Sequence, residues 1–186
     1  MSASAETETK SSSWTVDKAH TSVEFAVKHM MFTTVRGRFA AFDINVVFDE
    51  ANSERSSVEA RIETASIDTR EPNRDAHLRS ADFFDAEQYP NLVFKSRRIE
   101  RASNGRHRII GDLTVRGVTK EITLDTEFLG TGKNPWGAPV AAFSAEAKID
   151  RKEFGLVWNA ALETGGVLVG DDVKIQLEVE LTQQKA

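Results

Sequence analysis

The stretch Val35-Arg36-Gly37-Arg38-Phe39-Ala40-Ala41-Phe42-Asp43-Ile44-Asn45-Val46-Val47-Phe48-Asp49 alternates apolar and polar residues in two phases. Val35, Gly37 and Phe39 share one parity, whereas Phe42, Ile44, Val46 and Phe48 share the other. Period-two alternation marks a half-buried β-strand. The phase slips by one at Ala40-Ala41, and such a slip turns every later side chain to the other face unless the backbone absorbs it. A β-bulge is therefore expected there, with Gly37 helping a sharp bend. Bends of this kind curl a sheet toward closure.

The same pattern extends in both directions. Upstream, Val23, Phe25, Val27 and His29 alternate with Ser22, Glu24, Ala26 and Lys28. Downstream, Val58, Ala60 and Ile62 have one parity and Ile67 the other, a second bulge or bend. Further strands are expected at 91–103, 106–115, 118–131, 140–150 and 173–182, with tight hairpin turns at Asn104-Gly105 and Arg116-Gly117. Residues 151–155 and 165–172 read as loops, and Gly130 to Asn134 as a turn. Between Pro72 and Asp82 a short helix is predicted, N-capped by Asn73, with Asp75 in its first turn. On it Arg74 and His77 share a face, and Asp75 and Arg79 are spaced for an ion pair.

About eight long strands joined by hairpins, one helical insertion and no βαβ alternation give an all-β antiparallel domain. Closure into a barrel would remove the exposed edges of so large a sheet, although periodicity does not separate a barrel from a sandwich. Composition agrees with strands: Val (16) and Ile (9) together outnumber Leu (10), with 11 Phe and 15 Thr. The 186 residues fit one domain spanning 14–182, with an N-terminal tail, Met1 to Ser13, and a C-terminal tail over 183–186.

Several function classes are disfavoured. A net charge of −5 argues against nucleic acid or an anionic membrane as partner. The basic series Lys95, Arg97, Arg98, Arg101, Arg106 and Arg108 reads as a solvated hairpin face. Zero cysteines remove disulfides and thiolate chemistry. No apolar run approaches the roughly eighteen residues that span a bilayer, and Met1 to Ser13 has no apolar leader core, so a cytoplasmic protein is expected. The four histidines, His20, His29, His77 and His107, lack metal-ligand spacing, and no Gly-x-Ser-x-Gly elbow is present. Neither metal nor cofactor is expected.

Longer matches carry a resemblance. They include Trp14-Thr15-Val16-Asp17-Lys18-Ala19-His20-Thr21, Phe25-Ala26-Val27-Lys28-His29 with Gly37-Arg38-Phe39, and above all the run from Asn73 through Arg74, Asp75, His77 and Phe83-Phe84 to Asp85. Tyr89-Pro90, Gly111-Asp112-Leu113-Thr114-Val115-Arg116-Gly117 and Asp150-Arg151-Lys152-Glu153-Phe154-Gly155 add to them. From Trp14 to about Leu181 the chain resembles the YceI-like family of lipocalin-like, polyisoprenoid-binding proteins.

That resemblance implies an extended eight-stranded antiparallel β-barrel whose apolar tunnel holds a long isoprenoid or similar amphiphile, often in a homodimer. Its lining candidates here are Phe25, Val27, Phe39, Phe42, Ile44, Phe94, Leu113 and Phe143, with Phe83, Phe154 and Trp158 from inserted segments. His29, Arg74 and His77 are expected at a tunnel end, against the polar head. The leading expectation is non-catalytic binding, transport or sequestration of a polyprenyl lipid, an isoprenoid quinone or a similar amphiphile. A rival is an isomerase or hydrolase with His29 or His77 as base. A third reading has the barrel filled by its own Phe side chains and serving as a dimer scaffold.

Overall fold

A computed structural model describes residues 12–184. The strands are β1 (Ser12–Val16), β2 (Ser22–His29), β3 (Thr33–Phe39), β4 (Phe42–Phe48), β5 (Ser57–Glu63) and β6 (Ile67–Asp68). The one α-helix among the described residues, α1 (Pro72–Arg79), follows. Then come β7 (Asn91–Arg101), β8 (His107–Val115), β9 (Val118–Lys133), β10 (Pro139–Asp150) and β11 (Val169–Gln183).

Every strand pairing is antiparallel, and the order β1-β4-β5-β7-β8-β9-β10-β11 returns to β1, which closes the ring. β11 does double duty: its last residues pair with β1 and its earlier ones with β2. β2, β3 and β6 prolong the wall beyond the ring. Taken with the strands they continue, β1 with β2, β3 with β4 and β5 with β6, they make the extended eight-stranded barrel.

The phase slips mark where those three strands turn corners. At Ala40-Ala41 the chain leaves the ladder altogether, so the expected bulge is a two-residue break between β3 and β4. The next corner is a 3-10 turn over Thr64–Ser66. The two are laced together, since Ala40 N donates to Ser66 O and Glu63 N to Ala41 O. A third corner, the 3-10 turn Lys18–His20 capped by Asp17, is tied to β4 by the Lys18–Asp43 ion pair. Corners in register satisfy each other's freed backbone groups, which a lone bulge would not. Gly37 contributes space rather than a bend: a Cβ there would lie 2.3 Å from the Phe25 ring.

The expected termini and inserts also change in detail. Ser12 and Ser13 belong to β1, opposite Phe48 and Val47, and Gln183 to β11, so the tails begin further out. The rest of the proposed tails, 1–11 and 185–186, lies outside the described residues. Glu71, not Asn73, caps α1, accepting from Asn73 N and Arg74 N, with Pro72 in the first turn where its missing N–H costs nothing. The helix stops at Arg79 rather than Asp82. Gly130 to Lys133 continue β9, and β11 starts at Val169, inside the segment read as a loop. Arg116 and Gly117 both adopt positive φ, 49° and 71°, as a two-residue hairpin requires.

Candidate functional site: a cavity through the barrel

The inward faces of the strands enclose a cavity of about 1070 Å³, at the upper end of ordinary ligand sites. It runs from β2's end and α1 to the β4–β5 and β7–β8 turns. The wall is overwhelmingly apolar because strand alternation places one parity inside. Phe25 and Val27 come from β2, Phe39 from β3, Ile44 from β4, Phe94 from β7, Leu113 from β8 and Phe143 from β10. Gly111 is needed on this wall, since a Cβ would meet Lys95 O at 2.5 Å and the Phe94 ring at 2.7 Å. Phe42 is the exception among the expected lining residues. It shares the inward parity of Ile44 and Val46 and is buried in the core, but it lies off the cavity wall.

At one mouth α1 and the segment between β10 and β11 converge. Phe83, Phe154, Trp158, Arg74, His77 and His29 all line the cavity there. The His77 ring makes edge contacts with Phe83 (5.0 Å) and Trp158 (4.7 Å), and its Nε2 lies 2.8 Å from Asp82 Oδ2. Arg74 spends its guanidinium on Thr69, donating to Oγ1 at 2.8 Å and to the carbonyl at 2.9 Å. Buried Asp75 accepts from the same residue's N and Oγ1. Asp75 therefore holds β6's exit instead of pairing with Arg79, whose guanidinium donates to the Ala65 and Ile67 carbonyls. Of the three polar residues expected to meet a head group, His29 is the one whose side chain has no hydrogen-bond partner among the described residues.

Arg151 is the strap of this mouth. Its side chain is 4 % exposed and donates to the carbonyls of Leu156, Trp158, Val169 and Gly170. Burial pushes its pKa down, against the pull of Asp171 and Asp150. Asp171 Oδ1, buried without a hydrogen bond, lies 3.6 Å from Arg151 Nη2. The rim outside is apolar: Met31, Phe32 and Val157 are exposed.

The opposite mouth carries polar groups that sequence reading missed. Glu50, Ser53, Arg101, Arg106 and His107 line it, behind a cluster of Phe48, Phe128 and Phe143 with ring centroids 5.2–6.3 Å apart. Phe48 was legible, since it continues the parity of Ile44 and Val46. Arg101 was hidden by a register shift between Ser96 and Arg98, which exchanges the inner and outer faces of β7. The outward arginines of that hairpin are paired, Arg97 with Asp112 at 2.9 Å and Arg98 with Glu100 at 2.9 Å, as a solvated face should be.

His107 Nε2 lies 3.0 Å from Ser53 Oγ, but no described residue orients its other nitrogen, as a nucleophile–base pair requires. On the outer surface, Asp17, His20 and Glu180 bring three potential metal-ligand atoms within 4.8 Å of one another at the β1–β2 corner. His20 instead bonds Asp17, which holds the carboxyl below its ordinary pKa and raises that of the imidazole. Among the described residues no helix is long and apolar enough to cross a membrane.

Comparison with known proteins places this geometry. A UPF0312 protein of Staphylococcus aureus (strain USA300) is 38% identical over 170 residues, 91% of this chain and 96% of its own length. The crystal structure of a Campylobacter jejuni YceI protein is 34% identical, with a TM-score of 0.73 over 91% of this chain and 97% of that one. BcnA of Burkholderia cenocepacia has a TM-score of 0.78 at 26% identity, covering 89% of this chain and 98% of its own. A polyisoprenoid-binding domain from Saccharophagus degradans shares the fold, with a TM-score of 0.63 at 12% identity over 92% of this chain and 98% of that domain. The family model for the YceI-like domain matches residues 14–181. The chain belongs to the YceI-like family.

Proposed function

We propose that the protein binds a long-chain isoprenoid, a polyprenyl lipid or isoprenoid quinone, or a similar amphiphile, and carries or sequesters it without chemical change. The observation that carries this reading is the cavity itself: about 1070 Å³, apolar along its length and running from mouth to mouth. Each methylene taken from water into such a wall contributes about 0.8 kcal/mol, so a long chain binds tightly without directed chemistry. A cavity of that size also argues against a barrel filled by its own phenylalanines. The name of the Saccharophagus degradans domain supports the ligand class.

In this reading Phe25, Val27, Phe39, Ile44, Phe94, Leu113 and Phe143 contact the chain, and Phe83, Phe154 and Trp158 narrow the α1 mouth. The exposed Met31 and Phe32 are the apolar surface that a homodimer would cover. Light scattering of the purified protein tests that part by its mass.

Native mass spectrometry of the purified protein, followed by solvent extraction, tests the function. One isoprenoid or amphiphile, unaltered after long incubation, is the expected result. A catalytic reading predicts conversion of the extracted lipid, and the Ser53–His107 pair is where it would be sought. Failure of added polyprenyl lipids to bind would end the carrier reading.

A further inference from the structure

Five arginine or lysine side chains among the described residues line the cavity, and four have a partner within the protein. Lys28 donates to Thr34 Oγ1, Arg74 to Thr69, Arg151 to four carbonyls, and Arg106 pairs with Glu127 at 3.1 Å. Arg101 is the fifth, and among the described residues it has no hydrogen-bond or ion-pair partner. Its position is fixed by the strand. The register shift between Ser96 and Arg98 turns Ile99 inward, and Arg101, two residues on, shares that face at the strand's end, where it lines the mouth and is exposed to solvent.

Directly across the ladder is His107, held through Nε2 by Ser53, which leaves Nδ1 uncommitted. A guanidinium offers five N–H donors and accepts nothing, so its complement is an oxyanion. Glu50 lines the same mouth, and its carboxylate opposes an anion there, a repulsion the Arg101 contact has to overcome.

Resting on the tunnel reading, we propose that Arg101 anchors the anionic head group, a phosphate monoester or a carboxylate, of the amphiphile whose chain occupies the cavity. The ligand then threads with its head at the mouth opposite α1 and its tail toward Trp158. The head-group site moves away from His29, Arg74 and His77. Two of those three are already spent on Thr69 and Asp82.

The test compares farnesol, farnesyl monophosphate and inorganic phosphate by calorimetry at low ionic strength. Wild type is expected to prefer farnesyl monophosphate over farnesol by at least about tenfold, the factor of one charge-assisted hydrogen bond. In Arg101→Gln that preference falls to near unity, and in Glu50→Gln it rises. No preference in wild type, or a preference that survives Arg101→Gln, overturns the assignment. So does a preference lost in His29→Ala but kept in Arg101→Gln, which would return the head group to the α1 mouth. Inorganic phosphate binding as tightly as the prenyl phosphate would mark a free-anion site and overturn the head-group role. If neither prenyl compound binds, the tunnel reading itself fails, and this proposal with it.

Discussion

The two mouths of the barrel are built on opposite plans. At the α1 mouth nearly every polar side chain is turned inward on the protein: Arg151 straps four carbonyls, Arg74 and Asp75 grip Thr69, and His77 is clasped by Asp82. What remains outside is apolar, with Met31 and Phe32 on the rim. The β4–β5 and β7–β8 mouth is held by short side chains within its own turn: buried Asp49 accepts from Ala51 N and Asn52 N, Ser56 Oγ from Asp49 N, and Asn52 Oδ1 from Glu54 N. It can therefore leave Arg101 and Glu50 uncommitted. Irregular backbone has to be held by side chains, and side chains used that way are withdrawn from a ligand.

The largest test of that contrast is Arg151→Ala. Removing the guanidinium strands four carbonyls at the α1 mouth, and a loss of about 3 to 5 kcal/mol in denaturant-derived stability is expected. Hydrogen exchange should accelerate across residues 156–169 and leave the 102–106 turn unaffected. Equal acceleration at both mouths would break the comparison. Asp75→Ala comes next: it leaves the Thr69 N–H without its acceptor, for an expected loss of about 1 to 3 kcal/mol in the same assay. Arg101→Ala, by contrast, should change stability by no more than about 0.5 kcal/mol, since it breaks nothing within the protein. A larger loss would mean that Arg101 is structural.

The smallest effect belongs to neither mouth. Asp17 raises the His20 pKa above its ordinary value of 6.5 in the folded protein. A group raised in this way stabilises fully below its unfolded pKa and loses that contribution as pH rises through the folded one. Thermal stability should therefore decline slightly from about pH 6 to about pH 8 in wild type, and less in His20→Gln. A decline of the same size in the variant would show that the pair is not its source.

The difference between the mouths also explains what the sequence disclosed. Strict alternation at Val23, Phe25 and Val27 or at Ile175, Leu177 and Val179 places those side chains inside without further information. The slips at Ala40-Ala41 and before Ile67 announced the corners, but not that the corners would bond one another. Phe42 has the inward parity its alternation gives it, but parity places a side chain on the inner face rather than at the cavity, and Phe42 packs into the core instead. Arg101 was concealed because register is a property of two strands, and the irregularity after Ser96 exists only in its pairing with β8. The roles of Arg151 and Asp75 depend on carbonyls and an amide five to nineteen residues away, brought close by turns that periodicity does not describe.

The central claim is that the barrel is a lipid-binding tunnel, and one substitution tests it most directly. Ala145 lies on the cavity wall in β10, where a tryptophan would occupy the space available to a chain. Wild type and Ala145→Trp, each with its fold confirmed by circular dichroism, would be titrated with a polyprenol and read by native mass spectrometry. A one-to-one adduct in wild type that is lost in the folded variant is the predicted result. An adduct that persists in Ala145→Trp, or none in wild type, would contradict the account.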